Sequence, residues 1–142
     1  MNASARTSRP VFIVALLVAA VGLIGAAEAS AKKFATKDGN ITCIMRSGFV
    51  RCDVTKHTWP PTPKPKNCEF DYGSTFVINE DNQAAFGCVS DAIGVAEKYG
   101  PGTRFQTGDN VCRLRKHNKV YCISKISRAN FAVSRKFWES TF

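Results

Sequence analysis

Few side chains in this sequence have the type and spacing for catalysis. There are two histidines, His57 ahead of a proline-rich stretch and His117 in a basic loop. A histidine pair beside a lysine would suit acid–base cleavage of a phosphodiester, as in a small basic ribonuclease. That chemistry needs both rings at one phosphate, and nothing in the spacing brings them together. Glu69 with Asp71, and Glu80 with Asp81, have the look of glycosidase carboxylate pairs, but each falls at a turn or strand end. Ser90-Asp91 belongs to no recognisable triad, and no G-x-S-x-G is present. Asp81-Asn82 lacks the further ligands of a calcium loop. There is no Cys-x-x-Cys to suggest zinc or a redox centre. No cofactor or metal is expected.

The stronger chemical signal is cationic. The chain carries 20 Lys and Arg against 11 Asp and Glu, a formal charge of +9. From Pro101 to Phe142, nine basic side chains face only Asp109 and Glu139. Arg113, Arg115, Lys116 and Lys119 crowd one predicted hairpin, and Lys125, Arg128, Arg135 and Lys136 follow. Tyr121, Phe137 and Trp138 lie among them. Cations interleaved with aromatics suit acidic glycans, anionic headgroups or single-stranded nucleic acid. These eight cations are the candidate polyanion-binding residues. The competing reading is a generally basic, solvated surface, because strand alternation would divide the charges between two faces.

The elements that must position them are short strands. Phe34–Cys52 (FATKDGNITCIMRSGFVRC) returns as Phe105–Cys122 (FQTGDNVCRLRKHNKVYC). Both open Phe-x-Thr, turn through Gly and Asn, and reach a cysteine after an apolar residue, Ile41 or Val111. Placing Ser47-Gly48 in a two-residue turn sets Cys43 opposite Cys52 and Met45 opposite Val50, all on one inner face, with Arg46 and Arg51 outside. The second copy sets Cys112 opposite Cys122 and Leu114 opposite Val120. It leaves Arg115–Lys119 as a five-residue loop, with Asn118 suited to a positive φ and Arg113 and Tyr121 outward. Ser74–Asn79 and Gln83–Cys88 read as a further strand pair around Glu80-Asp81-Asn82. Asn130–Ser134 reads as the last strand, and Ala31–Lys33 as a mobile lead-in. Four prolines in Pro60–Pro65 predict an extended connection over a sheet edge. Val89–Lys98 fits a short helix or an irregular loop. The fold class is all-β: a small sandwich or partly open barrel of disulfide-stapled hairpins with an internal pseudo-repeat.

The six cysteines, Cys43, Cys52, Cys68, Cys88, Cys112 and Cys122, permit 15 pairings. The duplicated register favours the local set 43–52, 68–88 and 112–122. Disulfides imply an oxidising compartment, and the first residues agree. Arg6 and Arg9 precede the apolar run Val11–Ala27, and Ala27-Glu28-Ala29 is a cleavage pattern. We assign 1–29 as a signal peptide and 30–142 as a single domain of charge +8, secreted or periplasmic. A retained N-terminal anchor is the alternative, and no span is expected after cleavage.

The pattern F-x-T-x-x-G-N-I-x-C, then V-R-C-D, Cys with D-Y-G, Y-G before a second F…C…C, and a closing F-x-x-S…F resembles a group of small exported six-cysteine bacterial proteins, a domain of unknown function. It is carried by Phe34, Thr36, Gly39, Asn40, Ile41, the six cysteines, Val50, Tyr72, Tyr99, Gly100, Phe131 and Phe142. The resemblance implies no activity and no site residues. The chain departs from it in the long segment before Tyr99 and at Arg128-Ala129-Asn130, where more glycine is expected. In that bacterial context the sequon Asn40-Ile41-Thr42 is taken as chance. The functional expectation is an exported, non-enzymatic protein binding an acidic envelope polymer or surface through its basic C-terminal third, with nucleic acid still open. The alternatives are a periplasmic inhibitor or partner-binding module, which the positive charge disfavours against basic lysozymes, and a small hydrolase such as a ribonuclease.

Overall fold

A computed structural model describes residues 30–141; the signal-peptide assignment and Phe142 lie outside the described residues. Eleven short strands form: β1 (Lys32–Thr36), β2 (Ile41–Arg46), β3 (Phe49–Val54), β4 (Thr75–Ile78), β5 (Ala84–Phe86), β6 (Lys98–Tyr99), β7 (Arg104–Thr107), β8 (Asn110–Arg115), β9 (Lys119–Ser124), β10 (Asn130–Val133) and β11 (Trp138–Ser140). One sheet has the order β5-β4-β3-β2-β1-β6, the other β11-β10-β9-β8-β7. The result is an open two-sheet sandwich, and the repeat is larger than the sequence suggested. Each copy is a five-stranded meander, not a single hairpin.

Register shows the duplication residue by residue. In the first sheet Phe34, Cys43, Cys52, Phe76 and Phe86 line up on one rung. In the second sheet the same rung is Phe105, Cys112, Cys122, Phe131 and Ser140. The rungs meet across the core, like against like. The Phe34 and Phe105 rings stack 4.0 Å apart, and Phe76 lies 5.7 Å from Phe131. The Cys52 and Cys122 sulfurs touch at 4.0 Å. Both are already in disulfides, Cys43–Cys52 and Cys112–Cys122, so that contact is van der Waals packing. The Cα–Cα distance is 4.1 Å in both bridges, as at a closely spaced cross-strand pair. The turns exchange places in the same way. Gly108 of the second sheet lies against Ser47 of the first, and Asp38 of the first lies beside Lys116–Lys119 of the second. Such reciprocal contacts are those of a two-fold axis, here inside one chain.

The expected Cys43–Cys52 hairpin register and all three expected disulfides are present, including Cys68–Cys88. Four expectations change. Lys32 and Lys33 are not a mobile lead-in; they extend β1, with Lys32 opposite Met45. Arg115 pairs with Lys119, so the second tip is three residues, reversed by positive φ at both His117 and Asn118. Asn130–Val133 is not the last strand, because Trp138–Ser140 returns beside it and turns Trp138 toward Phe76 and Phe86. Val111 is not the structural counterpart of Ile41. The first copy turns through four residues and the second through two, which keeps the pleat but matches Ile41 with Asn110. Asn110 and Ser124 are buried where the first copy has Ile41 and Val54. The proline-rich segment contains no helix or strand, and the two residues before it link to both sheets. Thr58 N–H donates to Arg135 O at 2.9 Å, while Trp59 is buried edge-on to Phe76 and donates its indole N–H to Gly73 O.

The outer face of the first sheet is covered. Residues 89–97 are an irregular strap, and Arg51 fastens it. Its side chain is 11% exposed and pairs with Asp53 at 2.9 Å and Asp91 at 3.1 Å, and it also donates to the Asp91 carbonyl. Burial alone would lower its pKa; Asp53 and then Asp91 outweigh burial and hold it above the usual arginine value. Lys33 adds a bond to Ile93 O, the one buried side chain of the strap. Arg51→Met should cost about 3 kcal/mol in denaturant unfolding by leaving Asp53 unpaired. Asp91→Ala should cost under about 1 kcal/mol, because Asp91 is exposed, yet limited proteolysis should then cut within 89–97.

Candidate functional site

The equivalent outer face of the second sheet carries exposed Arg104, Arg113 and Arg115 around a buried Val111. Outward positions on β7, β8 and β9 carry Arg104, Arg113, Arg115, Lys119 and Tyr121, with Val111 and Ile123 between them. Their counterparts on the first sheet are Lys33, Ile44, Arg46, Phe49 and Arg51, so the two copies share a backbone and differ in the face they present. Arg104 sits directly opposite Arg113, and Arg115 directly opposite Lys119. Like charges in directly opposed positions oppose sheet formation. Among the described residues none of these four forms an ion pair; the pairs present use Arg46 and Arg51. Aromatic rings support two of them. The Arg115 guanidinium lies 4.8 Å from the Tyr121 ring centre, and the Lys119 ammonium 4.9 Å from that of Phe137.

Of the eight predicted residues, Arg113, Arg115, Lys125 and Arg128 line one shallow depression of about 270 Å³ with Arg104 and Tyr121. Lys116, Lys119, Arg135 and Lys136 line a second groove, about 470 Å³, with His117, Ser134 and Phe137. The predicted cluster is therefore two adjoining patches, joined where Arg115 faces Lys119. Sequence reasoning missed Arg104 because no strand was assigned to β7. The match of Phe105-x-Thr107 to Phe34-x-Thr36 carried the signal, since it places Arg104 one residue before the repeat. It also missed Asp38, which the internal two-fold brings into the tip groove.

Asp38 is the acidic member of that groove. Burial pushes its pKa up, but the Thr36 hydroxyl at 2.6 Å, the Asn40 amide at 3.1 Å and the Arg135 charge outweigh this and hold it below 3.8. Asn40 itself is buried, and its side-chain amide exchanges two bonds with the Lys56 backbone. The sequon is thus a structural element. The acid–base pair considered from sequence finds no shared groove. His117 lines the tip groove, whereas His57 stacks flat on Trp59 at 4.0 Å. Glu80 pairs with Arg46, and Asp71 bridges to Val89 through its backbone. Among the described residues no cluster of His, Cys, Asp or Glu has the makings of a metal site, and no helix is long and apolar enough to cross a membrane.

Comparison of the chain with protein-family models, with curated proteins and with solved structures gave no match.

Two outcomes are expected. Arg113→Thr removes a like-charge pair and should raise stability by about 0.2–1 kcal/mol at low salt, with the gain shrinking as salt is added. Asp38→Asn should destabilise the protein above the unfolded carboxylate pKa, about 3.9. A depressed folded pKa means that this contribution is lost as pH falls through it. Denaturant midpoints of the two proteins should therefore converge at pH 2 and separate at pH 7.

Proposed function

We propose that this is an exported, non-enzymatic protein that binds an acidic envelope polymer or surface through the outer face of its second sheet and the adjoining tip groove. The observation that carries this reading is the contrast between two equivalent faces. On one, the arginine is neutralised by two aspartates beneath a strap. On the other, opposed cations are left without carboxylate partners, at a cost to the sheet. A face that is held apart electrostatically gains most from an anion laid across it. Three disulfides are consistent with an extracellular or periplasmic protein, and the apolar N-terminal run supports export as the route. Membership of the small six-cysteine exported family remains part of the same proposal.

Retention of the oxidised protein on an immobilised polyanion tests it. The double variant Arg113→Glu, Arg115→Glu should elute at much lower salt, with affinity reduced at least about tenfold. The matched variant Lys64→Glu, Lys66→Glu, of equal net charge but altered on the proline-rich segment, should shift far less. Equal loss in both variants would reduce the face to a general basic surface, and unchanged retention of the first would reject the reading.

A further inference from the structure

An open cavity of about 760 Å³ lies at the other end of the basic face, between the β4–β5 turn and the β9–β10 turn. Tyr72 and Phe86 supply its rings, Asn82 and Gln83 its amides, Ser127 and Thr141 its hydroxyls, and Arg128 its charge. The cavity is built in advance. Ser124 Oγ donates to Asn82 Oδ1 at 3.0 Å and Ser127 Oγ to Asn82 O at 2.6 Å, so one asparagine ties the two turns together. Behind it, Ser124 pairs across the sheet with Asn110, whose amide atoms are buried without a protein partner.

Arg128 is the residue the fold does not explain. Its φ is +67°, in the left-handed region. Asn82, at +58° on the facing turn, is a type that tolerates this conformation; arginine pays roughly 1 kcal/mol for it. The turn needs only backbone there: Arg128 N–H donates to Ser124 O, and Arg128 O accepts from Asn130 Nδ2. Glycine would make both bonds without strain. The guanidinium forms no ion pair among the described residues. Its distinction is position, since Arg128 lines both the cavity and the basic depression beside Arg104, Arg113 and Arg115.

Resting on the polyanion reading above, we propose that this cavity seats the terminal acidic sugar of a linear acidic polysaccharide, with Arg128 holding its carboxylate and the remaining chain lying on the basic face. Ring faces edged by amides and hydroxyls match a pyranose with its equatorial hydroxyls, and a planar guanidinium matches a carboxylate in two parallel bonds. Single-stranded nucleic acid fits less well. It calls for a run of aromatic platforms along the charged track, and the depression there offers only Tyr121 among aliphatic Val111 and Ile123.

Titration with a short oligogalacturonate tests the assignment, beside a neutral oligosaccharide of equal length and a short polyphosphate. Arg128→Gly should melt at a higher temperature yet bind oligogalacturonate about tenfold more weakly, the loss of one charged bidentate contact. Its polyphosphate affinity should fall less than about threefold. Tyr72→Ala, which changes no charge, should also weaken oligogalacturonate and leave polyphosphate unaffected, and the neutral oligosaccharide should bind none of the proteins measurably. If Arg128→Gly and Tyr72→Ala bind oligogalacturonate like the parent while Arg113→Glu does not, the face stands and the cavity assignment is overturned. Equal loss of both anions in Arg128→Gly, with Tyr72→Ala silent, overturns it too by making Arg128 one more surface charge. Failure of every polyanion to bind the parent protein overturns both readings.

Discussion

The structure depends on one rung of the core meeting its own copy. Phe34, the Cys43–Cys52 disulfide and Phe76 press against Phe105, the Cys112–Cys122 disulfide and Phe131. A domain of this size buries a limited core, and two cross-strand disulfides at its centre fix strand register at the point where a one-residue slip would turn every inward side chain out. With the rung fixed, the neighbouring positions follow by alternation. Met45, Val50 and Ile78 fall inward in one sheet, and Leu114, Val120 and Val133 in the other.

Because the rung supplies the framework twice, the rest of each copy is free to differ. The first copy carries a strap and the buried Arg51 cluster that fastens it. The second has Tyr121 at the position of Arg51 and Arg113 at that of Ile44, and its outer face carries charge without carboxylate partners. Asn110 and Ser124 in place of Ile41 and Val54 make one end of the second sheet polar inside, beside the turn where Asn82 and Ser127 join the sheets. Function is argued from these departures, since what the copies share is accounted for by packing.

The scaffold was legible in the sequence where local rules coincide. Ser47-Gly48, the Met45/Val50 pair and the cysteine spacing each require the same register, and the disulfides followed from it. Legibility failed where the cause lies elsewhere in the chain. Lys32 and Lys33 are polar and near the start of the described residues, yet they form a strand because β2 presents an edge to them. Trp138 turns inward toward Phe76 and Phe86, residues more than fifty positions away. The apparent match of Ile41 to Val111 misled because Ile41 stands two residues before its cysteine and Val111 only one, which sets them on opposite faces. For the site, the eight cations were visible as a cluster. Their division into two patches, and the addition of Arg104 and Asp38, needed the second sheet's register and the internal two-fold.

The central claim is that anions are received by one face of a duplicated sandwich and not by its covered twin. Amide chemical-shift mapping of the ¹⁵N-labelled, oxidised protein during titration with a short acidic polymer tests this directly. The account predicts shifts on β7–β9, the tip groove at Lys116–Asn118 and Ser134–Phe137, and the facing turns around Arg128 and Asn82, with β2, β3 and the strap at 89–97 unmoved. Shifts of equal size on the outer face of the first sheet, or none on β8 and β9, would contradict it.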